Sequence, residues 1–177
     1  MPHRTLNIYY DVYPDSPRSI FESVGRMVCF HNRLCLGDVH CIPRLSSWDK
    51  LERYLRDMCG AVVVLPIYIY EHSGVVMNTT GAFCPRGGGQ IGFIYATEDD
   101  ILDTCCATEL SPDALEDVKK ILVGEIAEYN AYLGGEVYHF VLSGEDGTII
   151  DECGGFYGDW GIEAILQETG FTGVEAK

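Results

Sequence analysis

The stretch CFHNRLCLGDVHC, residues 29–41, sets three cysteines, two histidines and an aspartate within thirteen positions. These are the side chains that ligate transition metals or form reactive thiol centres. Zinc takes about four ligands from Cys, His, Asp or Glu in tetrahedral array. The local candidates are Cys29, His31, Cys35, Asp38, His40 and Cys41, and Glu71 and His72 can join them from YIYEHSG. There is no CxxC pair, so neither zinc-finger nor zinc-ribbon spacing applies. Three histidines near strand ends or turns could still converge. Gly37 permits a tight turn that would swing Asp38 and His40 back toward His31. The plainer alternative has Cys29 and Cys35 packing as small apolar groups, with the histidines at the surface.

Other chemistry is less well supported. Cys84 in FCPRGGG has Arg86 and a glycine-rich backbone beside it, but an acidic field raises thiol pKa values, the wrong direction for a nucleophile. RGGGQ lacks both the Gly-Lys-Ser/Thr ending and the following helix of a phosphate loop, so its glycines read as a flexible turn. Adjacent Cys105 and Cys106 are poorly placed for an ordinary disulfide and suggest one buried and one exposed helical position. The stretch 97–118 holds Glu98, Asp99, Asp100, Asp103, Glu109, Asp113, Glu116 and Asp117 without one base. It is either a solvated face or a row of negative charge for a basic partner.

Charge is the outstanding property of the whole chain, at −15 over 177 residues. Residues 1–60 hold 8 of the 12 basic and 7 of the 27 acidic side chains, a net of +1, which leaves −16 on residues 61–177. That field disfavours direct contact with nucleic acid or an anionic membrane and favours a basic surface, although solubility alone would also explain it. An apolar fraction of 47% with 11% aromatics belongs to a folded globule. No basic-then-apolar leader opens the chain, and the longest apolar run, 61–70, is too short to span a bilayer and contains Pro66. Eight cysteines without a leader point to a reducing cytoplasm.

These residues need elements to position them. TLNIYYDVY and GRMVCFH read as strands, the second placing Cys29 and His31 on one face. SSWDKLERYLRDMCG reads as a helix with a serine cap, a Trp48, Leu51, Leu55, Met58 stripe and a Gly60 stop. AVVVLPIYIY is a strand in which Pro66 demands an edge or a bulge. GVVMNTT returns antiparallel to it, and GQIGFIYAT is another strand. TEDDILDTCC starts a short helix with acids at its positive end. The strongest helix is SPDALEDVKKILVGEIAEYNAYLGG, capped by Ser111, with Pro112 in its first turn and apolar residues from Leu115 to Leu133 at spacings of three and four. A hairpin around Glu145–Asp146–Gly147 and a final short helix complete a single α+β domain, 1–177, with a mainly antiparallel sheet, one long helix and several short ones.

The blocks MVCFHNRLCLGDVH, VVLPIYIYEHSG, GQIGFIYAT, EIAEYNAYLGGEVYHF and GGFYG, in this order from about residue 16 to 158, resemble a group of small acidic proteins encoded by bacteriophages and mobile elements. Most of that group carry no assigned activity. The shared pattern includes His31, Gly37, Asp38, His40, Tyr70, His72, Ser73 and Gly74. It usually has Asp where Glu71 stands, and a Trp-Asp-Ser-Gly type of turn where this chain has residues 86–89. Cys35 and Cys41 lie outside the pattern, which leaves His31, Asp38, His40 and His72 as the expected ligands of zinc or a similar transition metal.

Small acidic phage proteins are often inhibitors of host defence, and anti-CRISPR proteins bind the basic nucleic-acid channels of Cas effectors. By analogy, the resemblance implies a cytoplasmic protein of the host bacterial cell that binds a defence nuclease stoichiometrically, with a Cas effector such as Cas9 preferred. The eight acids of 97–118 are its expected partner-binding residues. An antirestriction DNA mimic is the first alternative. A metal-dependent hydrolase, with Glu71 as general base, is the second.

Overall fold

The computed structural model describes residues 4–71, 74–81 and 88–171. In chain order the elements are β1 (Thr5–Tyr10), α1 (Pro17–Ile20), β2 (Arg26–Cys29), α2 (Trp48–Cys59), β3 (Ala61–Glu71), β4 (Val75–Asn78), β5 (Gly88–Thr97), α3 (Glu98–Cys105), α4 (Pro112–Gly134), β6 (Val137–Ser143), β7 (Ile149–Tyr157) and α5 (Gly158–Thr169). Their ends are set by short polar residues and glycines. Ser47 accepts the Lys50 amide at the start of α2, and Ser111 accepts the Ala114 amide at the start of α4. Gly60 and Gly135 end those helices in the left-handed conformation. Thr97 and Asp100 form a reciprocal capping box at α3. No helix among the described residues is long and apolar enough to cross a membrane.

All strand pairs are antiparallel, in two sheets ordered β2-β5-β3-β4 and β1-β6-β7. The chain is therefore α+β, as its patterning indicates. The four-stranded sheet is covered on both faces. On one face, Val118, Leu122, Ile126 and Tyr129 of α4 bury against Met27, Ile67, Ile69 and Ile94. On the other, Leu51 and Leu55 of α2 bury against Val28, Phe93 and Tyr95. Double burial explains why β5 reads as an almost unbroken apolar run. Met58, expected in the α2 stripe, is exposed instead. In the three-stranded sheet, Phe140 and Leu142 pack with Leu6 and Ile8 against Ile165 of α5.

Two strand details refine the reading. Pro66 pairs with Phe93 of β5, while β4 pairs with Tyr68–Glu71, so among the described residues β3 has a free edge at the proline. Gly88 and Gly89, expected in a flexible turn, are instead β5 residues paired with Tyr70 and Ile69. Cys84 and Arg86 lie outside the described residues.

Gly92 shows how closely the central strands approach. It pairs with Cys29 of β2 and Ile67 of β3, and a Cβ built on it would strike the Val28 carbonyl oxygen. Gly92→Ala is expected to cost about 1–3 kcal/mol through forced backbone displacement. Gly89→Ala, whose Cβ would meet nothing within 4 Å, should cost far less. Urea denaturation of both variants checks the contrast.

Candidate functional site

The strand that begins the 29–41 stretch ends at Cys29. Its side chain is buried in the α4-facing core. Burial, followed by the nearby charge of Asp38, pushes the Cys29 thiol up to about 12. At neutral pH it is a protonated thiol, neither nucleophile nor ready ligand. Cys35 and Cys41 are exposed and free. Beyond Cys29 the strand alternation stops, so Cys29 and His31 do not share a face by pleat. His31 Nδ1 accepts the amide hydrogens of Arg33 and Leu34 at 3.4 and 3.1 Å. Its Nε2 lies 3.5 Å from Glu71, and Glu71 also accepts from Arg33.

The Gly37 turn forms, but it delivers Asp38 to a different partner from the one expected. Gly37 is left-handed (φ +73°), and a Cβ there would press on the Met27 carbonyl oxygen. Its amide donates to the Tyr129 hydroxyl of α4, and the Asp38 amide donates to the Met27 carbonyl. The Asp38 carboxylate then accepts from Arg18 Nε at 2.8 Å, Arg18 Nη2 at 2.7 Å and the Met27 amide at 2.7 Å. Arg18 also donates to Glu125 of α4 at 2.8 Å and to the Gly25 carbonyl at 2.6 Å. Glu125 in turn accepts the amides of Val24 and Gly25. Burial works against the Arg18 charge, and the two carboxylates more than compensate, so its pKa is raised.

His40 donates from Nε2 to the Cys29 carbonyl at 3.3 Å and meets the Phe30 ring edge-on. Its buried Nδ1 has no hydrogen-bond partner among the described residues. Among the described residues, no three His, Cys, Asp or Glu side chains are placed to hold one ion. Of the expected ligands, the structure holds Asp38 on Arg18 and the Met27 amide and His40 on the Cys29 carbonyl. What it brings together is His31 with Glu71, and His72 lies outside the described residues.

The acidic segment is positioned by α3 and by the start of α4. Glu98, Asp99, Asp103, Glu109, Asp113, Glu116 and Asp117 are exposed. Asp100 differs from the other seven. It bonds the Thr97 amide and hydroxyl and pairs with Arg26, and although burial opposes this, those bonds hold its pKa below the usual carboxylate value. Glu116 and Asp117 pair with Lys119 and Lys120, just past the base-free stretch. Glu98, Asp99, Asp103 and Glu109 have no cationic partner among the described residues, whereas the charge of Asp113 bears on Lys120.

Sequence reasoning missed Arg18 and Glu125. A cue existed for Glu125, which stands three residues after Leu122 and four before Tyr129, on the flank of the buried stripe. A carboxylate there needs a buried donor. Comparisons of the chain with protein-family models, with curated proteins and with solved structures find no match.

Arg18→Met would leave Asp38 and Glu125 largely buried and unpaired, and is expected to cost about 3–5 kcal/mol in chemical denaturation. Asp38→Asn should lower the melting temperature by the same amount with and without a metal chelator. A chelator-dependent difference between wild type and Asp38→Asn would instead put Asp38 on a metal.

Proposed function

We propose that the protein is an anti-defence inhibitor of phage or mobile-element origin. It acts by stoichiometric binding to a nucleic-acid-handling defence nuclease, with a Cas9-type effector the preferred target. The observation that carries this reading is the group of four exposed carboxylates, Glu98, Asp99, Asp103 and Glu109, that no lysine or arginine pairs with among the described residues. An unneutralised group of like charges is a surface awaiting an opposite field. Effectors of this class hold nucleic acid in positively charged channels. Complementary fields accelerate encounter and select partners. The phage-protein resemblance supports the same reading by analogy.

Binding and catalysis differ in stoichiometry. Titrated against a Cas9-type effector, the protein should reach full inhibition near one equivalent. At a tenth of an equivalent the residual effector activity should stay constant with time. Continued loss at that ratio would show turnover and sink the reading.

The structure also dictates which acids can be reversed without harming the fold. Asp100 must be spared, since it caps α3. Asp99→Lys, Asp103→Lys and Glu109→Lys together should slow association at least about tenfold at low ionic strength, and less at about 0.15 M salt, where the screening length falls to about 8 Å. Reversing exposed Asp57, Glu163 and Glu168 changes net charge equally and should matter less. Equal effects from both triples would mean that no particular surface is involved.

A further inference from the structure

Of the fourteen large apolar side chains exposed among the described residues, six fall between residues 9 and 21: Tyr9, Tyr10, Val12, Tyr13, Ile20 and Phe21. A random scatter would put about one there, because single exposed apolar residues are normally dispersed. This segment leaves the three-stranded sheet at the end of β1 and wraps past its neighbours. On the α5 face of that sheet the Tyr10 ring lies 5.1 Å from that of Tyr138, and on the opposite face, shared by Val137 and Tyr157, Phe21 meets Tyr157 edge-on at 5.8 Å. The Tyr157 hydroxyl donates to the Asp15 carbonyl at 2.8 Å, which ties the segment to β7. Trp160, 47% exposed, lies against Gly158, directly after Tyr157. Tyr13 is the most open aromatic among the described residues, at 91%.

Carboxylates rim this patch. Burial, and then the charges of Glu128, Asp15 and Asp11, raise the Tyr157 hydroxyl to about 12. The one base within residues 9–21 is Arg18, which Asp38 and Glu125 already hold. Aromatic faces beside unpaired carboxylates complement a guanidinium group, which stacks on a ring and offers a fork of donors to an acid. A second copy of this chain would bring the same negative rim against itself. A purely apolar partner would strip water from the carboxylates without replacing it.

We propose that the Tyr157 face at this end of the three-stranded sheet is the docking site for an arginine-rich protein segment, stacked on Tyr13, Phe21 and Trp160 and paired with Asp11 and Asp15. The proposal rests on the reading that the protein binds a basic partner, and it divides the labour of binding. The acids of 97–117 steer the encounter, while the aromatic patch holds the complex, as buried aromatic and arginine anchors do in other interfaces.

The test uses fluorescein-labelled nona-arginine and nona-lysine peptides, the full chain, and fluorescence anisotropy at about 0.15 M salt. Nona-arginine should bind about fivefold tighter than nona-lysine, because guanidinium stacks better than ammonium. Tyr13→Ala should weaken nona-arginine binding about fivefold and Tyr13→Phe should restore it, while Trp160→Ala should weaken it about tenfold. Tyr13 is open enough that its loss leaves the fold intact, so its result stands even if Trp160→Ala destabilises α5. Wild-type affinity in Tyr13→Ala and Trp160→Ala would overturn the proposal, as would a wild-type dimer in sedimentation that Tyr13→Ala dissolves. If peptide binding depends on the patch but no effector is inhibited, the docking site stands and the anti-defence reading falls. If inhibition is undiminished in both aromatic variants, the docking site falls and that reading stands.

Discussion

Arg18 carries a positive charge to a position where only 6% of its side chain meets water, and the chain must bring two distant carboxylates to meet it. A buried guanidinium without partners would be prohibitively costly, and one with two carboxylates and a carbonyl is satisfied. Meeting that demand joins three parts of the molecule. Asp38 holds the turn after β2, Glu125 holds α4, and Gly25 lies at the entry to β2. Glu125 also takes the Val24 and Gly25 amides, so the same helix terminates the hydrogen bonding of the strand entry. Because α4 packs across the four-stranded sheet and also meets the second sheet through Ala131 and Val137, the ion cluster fixes the main scaffold helix at its middle.

That scaffold consumes a particular set of charges and leaves another set free. Asp38, Glu125 and Asp100 are bound to arginines and backbone amides. Glu98, Asp99, Asp103 and Glu109 around α3 have no such duties, and Asp11 and Asp15 bear on Tyr157 beside exposed aromatic rings. The division is physical: carboxylates near the sheet are desolvated and need donors, whereas those on helix starts keep water and favourable helix dipoles.

Much of the fold was legible because its determinants are local. Ser47 with Gly60, Ser111 with Pro112 and Gly135, and Thr97 with its following acids mark helix ends by short-range hydrogen bonding. GQIGFIYAT was legible as a strand, and its cover on both faces, seen only in the fold, accounts for its unbroken hydrophobicity. The site was less legible because its determinants are long-range. Asp38 and His40 stand two residues apart, a spacing that suggests joint ligation, yet Asp38 turns to Arg18 and His40 to the Cys29 carbonyl. Nothing local to residue 38 announces a partner twenty positions earlier, and nothing local to Glu125 announces one more than a hundred positions away. The aromatic patch escaped notice for a related reason. TLNIYYDVY reads as an ordinary strand, and only the early end of β1 at Tyr10 turns its last residues out to solvent.

The claim that this molecule works by presenting carboxylates and aromatic rings to a basic partner is tested most directly by footprinting. Carbodiimide labelling of carboxyl groups, read by mass spectrometry, would be compared for the free protein and for an equimolar mixture with a Cas9-type effector. Asp99, Asp103 and Glu109, together with Asp11 and Asp15, should lose reactivity in the complex, while exposed Asp57 and Glu168 should keep theirs. An inhibited effector mixed with protein whose labelling is unchanged at all of those acids would contradict it.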